Sequence, residues 1–393
     1  MLMLGTSPAD LDRQSFTPLY VQLVELLARP IRQGEIVPGA AFFSERELAV
    51  QYGVSSVTAR RVMLELVRAG LIERRNGIGT FVRAEGPRKH VTLLILEFKE
   101  AQQRGHQMIA SAFGELVGGV AEAAWDSSAA LGLAYLAQPE ELPNWLATAR
   151  EEHTTDGVLV RSAGDISAQE LDILDRSTFP YVLVKRHLPG RSASAVIADE
   201  ERAVRLGVDH LLGLGHRRIG FVASTRSRVL HEERFQGYSA ALAAAGIELD
   251  AGLIVPTPDF SAESGELAVR ELLQRPDGGE LTALMVASDS LAIGAYRAIA
   301  ARGRSIPSDL SVVSVDDIPE ARALHPALTT ARTSHVEFGL RATRLLLRLI
   351  EAVWKGTALP AQADVIEPTL IVRESTAPPY TALTGSVAPS GAD

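Results

Sequence analysis

From residue 91 onward, short continuous apolar runs alternate with amphipathic helical patterns, and no other feature limits the fold as tightly. The runs at 91–98 (VTLLILEF), 131–137 (LGLAYLA), 156–162 (DGVLVRS) and 180–186 (PYVLVKR) are each followed by a helical period. A strand that is apolar at nearly every position is buried on both faces, as in a parallel sheet covered by helices. The alternation then restarts. Helices are predicted over 200–214, 232–245, 262–274 and 290–302, and strands over 218–223, 252–255, 283–287 and 311–315. One small open sheet does not hold so many strands comfortably. Two doubly wound lobes with a cleft between them are expected, with any ligand at the carboxyl ends of the strands.

The length, 393 residues, fits two or three domains. Zero Cys excludes disulfides, iron–sulfur clusters, thiolate zinc sites and a cysteine nucleophile. No apolar run reaches membrane-helix length. Residues 1–13 lack a basic segment followed by an apolar one, so no signal peptide and a cytoplasmic location are expected. No cofactor and no metal are predicted: His210 and His216 read as helix-end and turn residues, without metal-ligand spacing. Gly213 and Gly215 follow a helix and precede a strand, the reverse of a dinucleotide-binding order. Nothing surrounds Ser288 that resembles a nucleophile elbow, so no catalytic residue and no enzyme activity are predicted.

Charge is uneven along the chain. Residues 1–88 hold eleven Arg and no Lys against two Asp and seven Glu, a surplus of two positive charges, which leaves about −11 for the remainder of a chain of net charge −9. This front segment reads as helix, helix, helix, hairpin. Leu19, Leu23, Leu26 and Leu27 share one helical face, and Ser44-Glu45-Arg46-Glu47 is a capping box. Gly53 offers a left-handed turn, and Ser55 or Ser56 caps a third helix that Gly70 stops. Asn76-Gly77 between two short runs is a hairpin signal. Two helices joined by a glycine turn and followed by a ribbon make a winged helix-turn-helix, which presents its last helix to a major groove and its ribbon tip to the backbone. A helical cap with solvated arginines is the alternative.

The stretch SERELAVQYGVSSVTARRVMLELVRAGLIERRNGIGTFV, residues 44–82, resembles the DNA-binding domain of GntR-family regulators. The resemblance implies DNA contacts from Arg46, from Ser56, Val57, Thr58 and Arg60 at the start of the recognition helix, and from Asn76 and Gly77 at the wing tip; Ser55, Arg61 and Arg75 join them as neighbours on the same surface. Many members carry Arg where this chain has Ser56, so the bidentate guanine contact that Arg makes is lost there.

The body resembles the lactose-repressor family, whose sensor has the fold of periplasmic sugar-binding proteins. The resemblance rests on HLLGLGHRRIGFVAS, ERFQGYSAAL, ALMVASDSLAIGAYRAI and SVVSVDDIPEARALHPALTTAR, all in the second lobe. A GntR-type front on such a sensor is similar to the arabinose-repressor subgroup. The expected fold is α/β: an N-terminal winged helix-turn-helix, then a two-lobed doubly wound periplasmic-binding-protein-like domain. The boundaries are an N-terminal segment 1–17, DNA-binding domain 18–83, linker 84–90, sensor 91–376 and disordered tail 377–393, the composition losing its apolar content from Ser375. The resemblance implies Arg234, Asp289 and Phe260 as contacts to a carbohydrate effector. Their alternatives are an interlobe ion pair, a helix cap and a core aromatic. Lys185 and Glu97 end first-lobe strands, and either face the effector or pair with each other or water. The expected partners are a pseudo-palindromic double-stranded operator, a small carbohydrate and a second copy in a homodimer, with no membrane. A solute-binding or chemoreceptor-type sensor without DNA readout is the second reading.

Overall fold

The computed structural model describes residues 11–13, 15–32, 35–75, 77–83, 89–96, 110–275 and 280–380. The head comes first: α1 (Leu19–Arg32), β1 (Ala41–Phe42), α2 (Glu45–Tyr52), α3 (Ser56–Arg68), β2 (Ile72–Arg75) and β3 (Gly79–Val82). The predicted cap forms: Ser44 Oγ accepts from Glu47 N, and the Glu47 carboxylate accepts from Ser44 N. Gly53 sits at φ 61, the left-handed turn between α2 and α3. Leu23, Leu27, Leu48, Met63 and Leu66 close a core beneath the ribbon. The ribbon is three-stranded, because β1 pairs antiparallel with β3. A two-residue strand leaves no period to read in the sequence.

Two six-stranded sheets make up the body. The first lobe contains β4 (His90–Leu96), α4 (Ala110–Asp126), β5 (Ala130–Leu136), α5 (Glu141–Glu151), β6 (Gly157–Ser162), α6 (Ala168–Arg176), β7 (Tyr181–Val184) and β8 (Ala195–Ala198). The chain then crosses into the second lobe, with α7 (Glu200–Gly213), β9 (Ile219–Ser224), α8 (Arg228–Ala244), β10 (Ile254–Thr257), α9 (Ala262–Gln274), β11 (Ala283–Val286), α10 (Asp289–Ala301), β12 (Ser311–Asp316), α11 (Pro319–Ala323) and β13 (Thr329–Arg332). It returns through α12 (His335–Trp354) and β14 (Ala363–Ile366), and crosses a last time to β15 (Thr369–Ile371). The sheet orders are β14-β8-β7-β6-β4-β5 and β10-β9-β11-β12-β13-β15. All pairings are parallel except β13 with β15. The predicted strand at 91–98 is seen as β4 up to Leu96; Glu97 and Phe98 lie outside the described residues.

The predicted tail is contradicted at its start. Ser375 is buried and donates through Oγ to Val312 O at 2.5 Å. Ala377 N donates to Ser311 Oγ at 3.0 Å, and Ala377 O accepts from His216 Nε2 at 2.8 Å. Polar side chains and backbone at the start of β12 supply bonds that apolar content does not measure, so the ordered body runs past residue 376. Residues 381–393 lie outside the described residues. So do residues 84–88 of the predicted linker, and His90 already belongs to β4.

Helix α12 crosses α4 at backbone distance. A Cβ placed at Gly339 would meet Leu116 O at 2.3 Å and Val120 N at 2.6 Å. Gly339→Ala should therefore destabilise the chain, by about 1–3 kcal/mol as overpacked cores do, although alanine favours helix. A midpoint in urea equal to or above that of the parent chain would show that the two helices separate freely.

Candidate nucleic-acid interface and interlobe cleft

Helix α3 turns its first residues outward because Ser55 caps it. Ser55 Oγ accepts from Thr58 N at 3.1 Å and lies 2.8 Å from Thr58 Oγ1. These two candidate DNA residues therefore build the helix start. Ser56 and Val57 are exposed beside them, Val57 at 77%. The arginines divide into two groups. Arg61 stacks over Tyr20 at 3.7 Å and donates to its hydroxyl at 3.0 Å. Arg75 pairs with Glu73 at 2.7 Å and covers Phe81, and Arg74 pairs with Glu45 at 2.6 Å. Arg46 and Arg60 are exposed and make no ion pair among the described residues. Gly77 is exposed at φ 74 on the wing tip, where no Cβ neighbour lies within 4 Å. Asn76 lies outside the described residues. The surface offers an N-terminal helix end and two uncommitted guanidinium groups to an anionic duplex.

The cleft forms where the carboxyl ends of both sheets meet. Lys185, just after β7, reaches across from the first lobe to Asp316, the last residue of β12, at 3.4 Å. Its Nζ also lies 3.1 Å from His335 Nε2. Burial and the Lys185 ammonium push the His335 imidazole down to about 3, so the ring is neutral and Nε2 accepts. Burial alone would raise the Asp316 carboxyl, but Lys185 and Arg234 hold it below the usual range. Lys185, Asp316 and Asp317 all take positive φ, at 59, 117 and 63. Non-glycine residues rarely do so, and such strain gathers at binding sites.

The other candidates sit behind this contact. Arg234 is buried and donates through Nε to Glu200 at 2.9 Å, and through a terminal nitrogen to Ala287 O. Its second terminal nitrogen pairs with Glu200 at 2.8 Å and lies 3.9 Å from Asp316. Arg234 is thus neither open to the cleft nor an interlobe bridge; its partners are all in the second lobe, and it holds the wall on which Asp316 stands. Asp289 is fully enclosed. Its carboxylate accepts from Ser314 Oγ, from Thr330 Oγ1 at 2.7 Å and from Ile318 N at 2.9 Å. The cap of α10 is Ser288, so Asp289 serves instead to tie β12, β13 and the loop before α11 together. Burial and the Asp316 charge push the Asp289 carboxyl up to about 7 against those three donors. Phe260 is half-buried in the loop after β10, at the cleft end of its sheet. Glu97 lies outside the described residues.

A small opening at the edge of the cleft is lined by Lys185, His187, Glu200, Ser227, Leu230 and Glu233. Of the predicted effector residues, only Lys185 lines it. Asp165, after β6, spans the lobes here: its carboxylate accepts from Ser227 Oγ at 2.5 Å and Arg228 N at 2.9 Å, at the start of α8. His187 and Glu233 form a second contact across the gap at 3.3 Å. The cleft residues missed from sequence are Asp316, Glu200 and His335. A signal for the first existed: Asp316-Asp317 directly follows the apolar run 311–315, where a parallel strand delivers its carboxyl end. Among the described residues, no group of three or more His, Cys, Asp and Glu is placed to hold a metal ion, and no helix is long and apolar enough to cross a membrane.

Comparisons with known proteins agree with both parts of this geometry. The family model for bacterial regulatory proteins of the gntR family matches residues 19–82, and that for a periplasmic binding protein-like domain matches residues 208–376. The chain is 27% identical to the arabinose metabolism transcriptional repressor of Geobacillus stearothermophilus over 371 residues, 93% of this chain and 99% of the relative. It is 35% identical to the transcriptional regulator GalR of Escherichia coli over 222 residues, covering 56% of this chain and 62% of that protein. The ribose operon repressor of Haemophilus influenzae is 34% identical over 56% of this chain and 64% of its own length. The chain therefore spans just under two thirds of these last two relatives. A solved complex of the regulator CelR with cellobiose superposes with a TM-score of 0.63 at 27% identity, covering 85% of this chain and 100% of that one. A LacI-family regulator from Enterococcus faecium with bound ribose gives 0.60 at 25% identity, covering 73% and 99%.

The Asp289 carboxyl supplies a pH test. Its folded pKa is raised above the unfolded value, so its contribution to stability is full in acid and is lost as pH rises through about 7. Asp289→Asn should flatten the fall in stability between about pH 4 and 7, read from urea denaturation at each pH. The same slope in parent and variant would place the titrating group elsewhere.

Proposed function

We propose that this chain, a GntR-type winged helix-turn-helix joined to a periplasmic-binding-protein-like sensor, is a cytoplasmic transcriptional repressor whose operator affinity changes when a carbohydrate enters the interlobe cleft. The carrying observation is that one chain holds both an exposed recognition helix with uncommitted Arg46 and Arg60 and a cleft whose two walls meet through hydrogen-bonding side chains. Carboxylate, ammonium and imidazole groups at strand ends suit the hydroxyls of a sugar, each able to donate and accept. The reading requires no covalent chemistry from the protein and no cofactor: binding alone shifts the lobes, and the lobes shift the heads.

A second copy fits the outer edge of the first lobe. Strand β5 is the edge of its sheet and turns Leu131, Leu133 and Tyr135 outward at period two, Leu133 at 62% exposure. Trp125, at the end of α4, is 86% exposed beside the turn into β5. Large apolar side chains on an uncovered edge mark an interaction surface. An isologous pair through it gives the two heads the two-fold symmetry of a pseudo-palindrome.

Source-genome fragments recovered by the purified protein at moderate salt should contain a recurrent palindrome, and a panel of mono- and disaccharides should then release or tighten it. Fragments without a shared sequence, with and without the panel, would count against the regulator. Arg60→Ala should weaken that operator roughly tenfold or more, the loss of about 1–3 kcal/mol that a base-contacting Arg carries, while leaving saccharide binding unchanged. Undiminished affinity would move the reading surface away from α3. Leu133→Arg should yield monomers in sedimentation; an intact dimer would move the interface elsewhere.

A further inference from the structure

The head is docked on the sensor, not merely tethered to it. Arg32, the last residue of α1, pairs with Asp156 at 3.6 Å, and its guanidinium lies 5.5 Å from the centre of the Trp354 ring. Asp156 in turn accepts from His90 N at 2.8 Å, so the same carboxylate fixes the first residue of β4. Lys89, next to it in the chain, pairs with Glu351 at 2.6 Å and approaches the Trp354 ring at 5.8 Å. Head, start of the body and end of α12 therefore meet in one patch.

The other end of α12 lies in the cleft. Its first residue, His335, lies 3.1 Å from Lys185 Nζ, and Phe338, one turn on, has its ring 4.9 Å from the same nitrogen. Between these ends run 20 residues, about 30 Å of helix. Its first two turns are pressed against α4 at Gly119 and Gly339, where a Cβ on Gly119 would strike Val336 O at 2.1 Å and one on Gly339 would strike Leu116 O at 2.3 Å. A helix so enclosed shifts as a unit more readily than it bends.

We propose that α12 is the mechanical link of this protein: a change in the Lys185–Asp316 contact in the cleft displaces the helix and thereby alters the docking of the head at Arg32, Asp156 and Trp354. This deepens the repressor reading and rests on it for its purpose, but it concerns the cleft and the head alone. Any ligand that draws Lys185 away from Asp316 acts directly on the first turn of α12. The far end of the same helix carries the aromatic ring on which the head rests. Both lobes bias one packed element, which is the physical requirement for coupling.

The test needs neither DNA nor sugar. In the full chain with Trp125→Phe and Trp145→Phe, Trp354 is the sole tryptophan, because the sequence holds three. Its emission maximum and acrylamide quenching report the docking patch. Arg32→Ala should shift the emission to the red and speed quenching, as the cation leaves the ring; no change would mean that the head does not rest there, and the proposal fails. Lys185→Met, at the opposite end of α12, should also change the quenching of Trp354, with unaltered quenching overturning the link. His335→Gln cuts the same contact from the helix side and should reproduce the change if Lys185→Met does not fold; a silent His335→Gln in a folded protein likewise overturns it. Operator selection is a separate measurement, so loss of DNA binding and loss of coupling are told apart.

Discussion

An ammonium group buried between two lobes must be answered from every side, and that requirement organises the sensor. The Lys185 side chain is 8% exposed and meets a carboxylate, a neutral imidazole and an aromatic face. Taking such a charge from water costs several kcal/mol unless its partners are well placed. Here the placement is made by backbone that most residues avoid: left-handed Lys185 aims one group, and Asp316 at φ 117 aims the other. Behind Asp316, Arg234 and Glu200 neutralise each other and leave the carboxylate to face Lys185. The contact is thus a poor source of stability and a good point of control, because anything that offers either partner a better bond changes the relation of the lobes.

The α/β architecture was legible because each buried strand is apolar at nearly every position while its helices are not. Helix starts were legible too, wherever a serine precedes them: Ser44 and Ser55 both accept from the first-turn amides. What stayed hidden depends on distant chain. Strands β8, β13, β14 and β15 are three or four residues long, and β14 and β15 reach their partners only after the chain has crossed between the lobes. The partners of Asp289 and Arg234 were hidden for the same reason. Nothing near Asp289 in sequence says that Ser314, Ile318 and Thr330 will fill its acceptor sites, and nothing near Arg234 announces Glu200. A residue type at a strand end marks a location; which donors arrive there is decided by two strands and a loop 25 to 41 residues away.

Counting charges hides a difference among the arginines of the head in a similar way. Sequence treats the arginines of the head alike, yet stacking on Tyr20 commits Arg61, and Glu45 and Glu73 commit Arg74 and Arg75. Exposed pairs of this kind are worth little in stability, about 0–1 kcal/mol, so a phosphate can compete for the same guanidinium. Base readout is more demanding, since it requires a side chain free to align two donors with a base edge. That capacity narrows to Arg46 and Arg60. Ser56, exposed at the start of the same helix, offers a hydroxyl and no guanidinium, so on the proposed reading shape and phosphate contacts would carry a larger share of recognition.

The lobes meet through a buried ion pair at Lys185, a carboxylate of Asp165 set against the start of α8, the His187–Glu233 contact at the rim, and a hydrogen bond that Ser111 Oγ on α4 donates to Glu320 on α11 at 2.7 Å. Burial and the Glu200 charge push the Glu233 carboxyl up to about 7, so this rim contact is weaker than a fully charged pair. On the proposed reading, coupling of about 1–3 kcal/mol would change operator occupancy five- to 150-fold, and a ligand supplies no more than its preference for one arrangement of the lobes over another. A cleft sealed by one dominant contact would hold a single arrangement and leave a weakly held sugar unable to shift it. On the proposed reading, closure spread over several contacts, one of them at the first turn of the helix that meets the head, is what would carry a gain in the cleft to the DNA.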